Sequence, residues 1–98
     1  MYGLIGKITT TPGKRDALVA ILIEGTTKMP GCLSYIVALD SADPDALWVT
    51  EVWDSQASHD ASLALPAVQA AMPRARPIVA AFERIAVTAP VWGVGLPR

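Results

Sequence analysis

An α+β domain with its elements in the order β-α-β-β-α-β is what this sequence predicts, and three observations predict it. Hydrophobic spacing changes period along the chain, from the alternation of a strand to the recurrence of a helix and back. Turn-forming clusters at Thr11-Pro12-Gly13, Met29-Pro30-Gly31 and Asp43-Pro44 fall where the period changes. Two apolar runs in mid-chain are separated only by Ser41-Ala42-Asp43-Pro44-Asp45, a link short enough to impose an antiparallel hairpin. This order is the ferredoxin-like split motif, a four-stranded antiparallel sheet with its helices on one face.

The elements follow in order. Tyr2 to Thr10 mixes β-branched and apolar residues and stops at the first turn cluster, as a strand does. From Lys14 the pattern becomes helical: Ala17, Leu18, Ile21, Leu22 and Gly25 share a face, with Lys14, Arg15, Glu24 and Lys28 for the wet side. The expected helix runs over about residues 13–28 and ends before Pro30, which cannot continue it. Cys32 to Asp40 is the second strand, with Leu33, Tyr35, Val37 and Leu39 on one face. Ala46 to Trp53 is the third. Asp54-Ser55 offers an N-cap for a helix beginning near Gln56. The alanine-rich stretch Ala57 to Ala81 contains Pro66, Pro73 and Pro77, so two or three short helical pieces are expected there. Glu83 to Ala89 reads as the last strand, and Pro90 to Arg98 as a tail that cannot fold alone.

Composition bounds the function. The 98 residues allow one domain, here 1–98 with the tail at 89–98, and exclude a dinucleotide-binding fold or a (β/α)₈ barrel, which needs about 250 residues. The chain is 52% hydrophobic and 17% charged, rich in apolar groups for a domain that buries only about 60–65% of its unfolded surface alone. With helices on one sheet face, the other face must meet water or a second copy, so a homodimer is expected. The formal charge of −1 carries no basic stripe for nucleic acid and no polybasic membrane patch. One Cys (Cys32) and one His (His59) exclude an intrachain disulfide and a multi-Cys or His-rich metal centre within one chain. No apolar run approaches the roughly 20 residues that span a bilayer, and no basic secretory leader precedes the first strand. A cytoplasmic location is the expectation.

The third strand carries the least ordinary arrangement. Glu51 and Trp53, two apart, project from one face with Leu47 and Val49, while Trp48, Thr50 and Val52 project from the other. A carboxylate in so apolar a strand needs pairing or protonation. It is either paired with Lys or Arg across the sheet or the subunit interface, or it polarises a pocket. His59, the single imidazole, suits proton transfer near neutrality, although a lone helical His is commonly a solvated or packed surface residue. Asp60 could partner it, but adjacent helical residues point in different directions. Cys32 reads as a small packed residue, with nothing to lower its pKa. No phosphate-binding glycine loop, zinc spacing or Ser-His-Asp signature is present.

Pro12-Gly13-Lys14, Pro30-Gly31-Cys32-Leu33-Ser34-Tyr35, Asp43-Pro44 and Glu51-Val52-Trp53-Asp54-Ser55, with His59 following, occur in register over residues 2–88. In these the chain resembles the small antibiotic-biosynthesis-monooxygenase domains, which include quinol monooxygenases. The proline-rich Met72 to Pro77 and the tail depart from that family's pattern at what would be the pocket mouth. The resemblance implies a dimeric α+β barrel with a pocket between sheet and helices in each subunit. It implies oxidation of a quinol-like or polycyclic hydroxyaromatic by O₂ without flavin, haem or metal. By resemblance His59 is the general base, Glu51 or Tyr35 orients the substrate, and Trp53 or Trp48 lines its wall. Relatives that degrade haem use an Asn, a Trp and a His, where this chain has Gly6, His59 and a position near Gln69, so the resemblance does not extend to haem. The alternative is a non-catalytic dimeric binding or stress-associated protein. An isomerase or decarboxylase on the same scaffold would need only the acid–base pair.

Overall fold

The computed structural model describes residues 1–97. Its elements are β1 (Tyr2–Thr10), α1 (Arg15–Gly25), β2 (Cys32–Leu39), β3 (Ala46–Trp53), α2 (Gln56–Ser62), α3 (Pro66–Ala75) and β4 (Val79–Thr88). One antiparallel sheet has the strand order β2-β3-β1-β4, and it is open in the single chain. This is the α+β, ferredoxin-like architecture that the element order implies.

Several boundaries differ from the sequence expectation for local physical reasons. The helix expected over 13–28 is α1, Arg15–Gly25. Gly13 sits at φ 78° and Lys14 N–H is spent on Thr11 O at 3.2 Å, so the turn runs two residues further before the helix begins. At the other end the Thr26 hydroxyl donates to Leu22 O at 2.6 Å, taking a terminal carbonyl. Asp40 leaves β2 because its carboxylate accepts the backbone N–H groups of Ala42 and Asp43, at 2.9 and 2.8 Å, and organises the hairpin turn. β4 begins at Val79 rather than Glu83. Pairing of Thr10 with Val79 and of Thr9 with Ala81 extends the ladder through alanines of low strand propensity, so tertiary pairing overrides local preference. The alanine-rich stretch forms two helices as expected, with Pro66 at the first position of α3 and Pro73 inside it. From Pro90 to Pro97 there is no helix or strand.

Register sorts the faces. Leu47, Val49, Glu51 and Trp53 of β3 stand opposite Ile8, Gly6, Leu4 and Tyr2 of β1. On the other side they face Leu39, Val37, Tyr35 and Cys32 of β2. An irregularity between Cys32 and Ser34 leaves Leu33 outside the ladder, so it does not share the Tyr35 face in register. Leu18 of α1 joins Ile8, Leu47 and Val49 in the core, with Ile21 buried on the same helix. Arg15 is not a wet-side residue as expected. Its Nη1 reaches the carbonyls of Asp40, Asp43 and Ala46 at 3.3, 2.8 and 3.3 Å, tying the start of α1 to the β2–β3 hairpin.

The opposite sheet face carries no helix. It presents Ile36, Thr50 and Trp48, with the Trp48 indole N–H donating to Asp40 Oδ2 at 2.8 Å and Lys7 Nζ 5.6 Å from the ring centroid. Among the described residues no helix is long and apolar enough to cross a membrane.

Candidate active site

The parity of β3 sends Glu51 and Trp53 toward the helices, and there the strand residue meets its partner locally. Trp53 is 1% exposed, and its indole N–H donates to Glu51 Oε1 at 3.0 Å. Within the single chain Glu51 makes no cross-sheet ion pair among the described residues. Among the described residues the ion pairs are Arg74–Glu24 and His59–Asp60. The half-buried carboxylate is satisfied by a neutral N–H from the same strand face, which leaves its second oxygen free of that bond.

Tyr35 stands opposite Glu51 across the β2–β3 ladder. Burial pushes its phenol pKa well above the ordinary value, and the neighbouring Glu51 charge and Cys32 add to the shift. Tyr35 therefore stays protonated and acts as a hydrogen-bond donor rather than as a base. Burial likewise raises the Cys32 thiol, which agrees with its reading as a packed residue.

His59 is delivered by the anchoring of α2. Ser55 Oγ accepts from Ser58 N–H at 3.2 Å and caps the helix, while Asp54 N–H donates to Gly31 O at 2.9 Å. Gly31, at φ 82°, is required here: a Cβ would lie 2.5 Å from Ser58 Oγ and 2.8 Å from Asp54 Oδ1. The docked helix presses the His59 ring edge-on against Trp53, with centroids 5.5 Å apart and planes at 79°. Tyr2 flanks it at 5.7 Å. The His59 side chain is 13% exposed, so it is not a solvated surface residue. Its Nδ1 lies 3.1 Å from Asp60 Oδ1, even though adjacent helical residues point in different directions. That contact favours the tautomer with the proton on Nδ1 and leaves the Nε2 lone pair available.

A trough runs beneath α3. Two depressions of about 350 and 130 Å³ share Met72 and Ala75 and so adjoin. The larger has Ile8, Val79, Phe82 and Arg76 in its wall. The smaller reaches α1 and ends on Tyr35. Their roof is held on α1 by the close approach of Ala71 to Gly25 and by Arg74 Nη1 on Glu24 Oε2 at 2.6 Å. Neither His59, Glu51 nor Trp53 lines these two depressions; of the sequence-nominated residues Tyr35 alone lines one of them, the smaller.

The structure thus brings four of the five nominated residues onto one sheet face, in the run Tyr35–Glu51–Trp53–His59. Trp48 is not among them, because register turns it to the helix-free face, where Asp40 and Lys7 engage it. Sequence reasoning missed Tyr2 as a neighbour of His59 and the trough wall at Arg76 and Phe82. The proline-rich departure at Met72 to Pro77 was the available signal for the latter. Among the described residues no group of three His, Cys, Asp or Glu side chains converges as a metal site would require.

A sequence model of the family described as antibiotic biosynthesis monooxygenase matches residues 1–74. A solved structure from Chloroflexus aurantiacus J-10-fl, named for the same family, is 60% identical, with 98% of each chain covered and a TM-score of 0.94. One from Deinococcus radiodurans is 27% identical over 95% of this chain and 93% of its own, with a TM-score of 0.74. One from Nitrosomonas europaea shares the fold, with a TM-score of 0.83 at 12% identity, over 94% of this chain and 100% of its own. No curated protein matches the chain.

Proposed function

The chain belongs to the antibiotic biosynthesis monooxygenase family, and from that premise we propose that it oxidises a quinol-like or polycyclic hydroxyaromatic with O₂, without flavin, haem or metal. The observation that carries this reading is the unbroken run Tyr35–Glu51–Trp53–His59 on the helix-facing side of the sheet, with Tyr35 opening onto the trough.

The chemistry asks little of so small a protein. Removal of a proton from a phenol or enol leaves an electron-rich anion that passes electrons to O₂ itself. In the balanced reaction, one oxygen atom forms a new C–O bond and the other leaves as water. The four electrons come from the substrate, as when a ring CH₂ becomes C=O. In the proposed roles, Nε2 of His59 takes the proton, with Asp60 holding the tautomer. Tyr35, kept protonated, donates to the developing oxyanion. Glu51, held by the Trp53 indole, orients the hydroxyl that ionises, and the buried Trp53 positions Glu51 and His59 from behind. A homodimer completes the reading. The helix-free sheet face, with Ile36 54% exposed, is apolar surface that a second copy would cover.

Oxygen-electrode assays with anthrones and quinols test it. Wild type is expected to consume O₂ above the uncatalysed rate, and His59→Ala to lose about 10²–10⁴-fold, the span typical of proton-transfer groups. Retention of turnover in His59→Ala with loss in Glu51→Gln would move the base to Glu51. No uptake with any of these substrates, alongside measurable binding, would favour the non-catalytic reading.

A further inference from the structure

The larger depression under α3 has a wall of Ile8, Met72, Ala75, Val79 and Phe82, and one cation, Arg76. The geometry points to an aromatic acid as the occupant of this trough, a flat ring system carrying a carboxylate that pairs with Arg76. Arg76 is thereby a specificity-determining residue. The site is separate from His59 and Trp53, which pack at the Tyr2 end of β1 while Ile8 lies six residues further along, about 20 Å away, so the inference stands apart from the reaction proposed above.

Shape and charge argue for it together. Phe82 lies against the bare backbone of Gly6, where a Cβ would come within 3.2 Å of the ring, so a flat aromatic surface borders the trough. The remaining wall is aliphatic, which suits a ring and offers nothing to a sugar or nucleotide. Arg76 stands just past the last turn of α3 and has no carboxylate within ion-pair distance among the described residues. Its neighbour Arg74 differs, being paired to Glu24. On the floor, Phe82 pairs in register with Ile8, so the two stand side by side on the helix side of the sheet. Arg presents a rigid fork that matches a carboxylate bidentately and holds its charge at any working pH.

The test is equilibrium binding under nitrogen, so that turnover plays no part. The probes are 3-hydroxy-2-naphthoate and 2-naphthol, which share the fused ring and hydroxyl and differ in the carboxylate. Calorimetry on the wild type is expected to show about tenfold tighter binding of the naphthoate, as one charge-assisted contact supplies. Arg76→Gln should bring that preference below about twofold while leaving 2-naphthol affinity unchanged, and Arg76→Lys should keep part of it. Amide shifts at Val79 and Phe82 should follow both titrations. Equal affinities in the wild type, a preference that survives Arg76→Gln, or shifts confined to other residues would overturn the inference, as would absence of binding at millimolar probe. A protein that shows the Arg76-dependent preference but consumes no O₂ would overturn the proposed reaction and leave the anion site standing.

Discussion

Nδ1 of His59 lies 3.1 Å from Oδ1 of Asp60, the next residue in the chain. The carboxylate is 61% exposed, so the contact is a solvent-screened pair whose weight is orientation rather than energy. Exposed pairs contribute less than about 1 kcal/mol, and Asp60→Asn should therefore reduce turnover by no more than about fivefold. The KM should hold, and long-range ¹H–¹⁵N spectra should show a shift in the His59 tautomer ratio. A loss as large as that of His59→Ala would give Asp60 a direct part in proton transfer.

Trp53 and Glu51 form the second pair to separate. Trp53→Phe keeps the ring volume in part but leaves Glu51 without its N–H partner, and is expected to destabilise by about 1–3 kcal/mol. Trp53→Ala should cost about 3–5 kcal/mol, because it also opens a cavity at a fully buried site. Glu51→Gln retains an acceptor for the indole and should stay within about 1 kcal/mol of wild type. Urea denaturation curves distinguish the three.

Gly31→Ala should couple stability to activity. The added Cβ meets Ser58 and Asp54 in a left-handed backbone conformation, at a cost of about 1–3 kcal/mol. Because that turn anchors α2, relief of the clash displaces His59. Activity should fall although Gly31 touches no substrate, and thermal melts with steady-state kinetics measure both effects.

Tyr35 sets an alkaline limit. Its folded pKa lies above the unfolded value of about 10, so its contribution to stability is fully present below pH 10. Above pH 10 the unfolded chain loses the phenolic proton while the folded chain keeps it, and stability declines until the folded group titrates. Melting temperatures between pH 8 and 11 should fall more steeply for wild type than for Tyr35→Phe. Identical slopes would place the phenol in contact with water.

Arg15→Ala should destabilise by about 1–3 kcal/mol, since three hairpin carbonyls lose their shared donor. A change below about 0.5 kcal/mol in urea would show that water replaces the guanidinium without loss.

Some of the fold and site is legible in the sequence. β1 and β3 match their expected bounds because alternation and the flanking turns are local signals. Four residues of β4 were hidden because a neighbouring strand, rather than their own propensity, makes them extended. Arg15 was misassigned to the wet side because the hairpin that receives it lies some thirty residues further on.

By itself the sequence determined the element order and the parity that puts Glu51 and Trp53 on one side of β3. Both follow from chemistry within a few residues: the reach of a turn, the constraint of proline and the two-residue pleat. Only the tertiary structure decided that this side faces the helices, that α2 docks so that His59 meets Trp53, and that Trp48 is left on the bare face. It alone assembled the trough, whose walls Ile8, Met72 and Phe82 come from three separate elements. Which face is covered depends on non-local strand pairing and helix packing, and no window of neighbouring residues contains either.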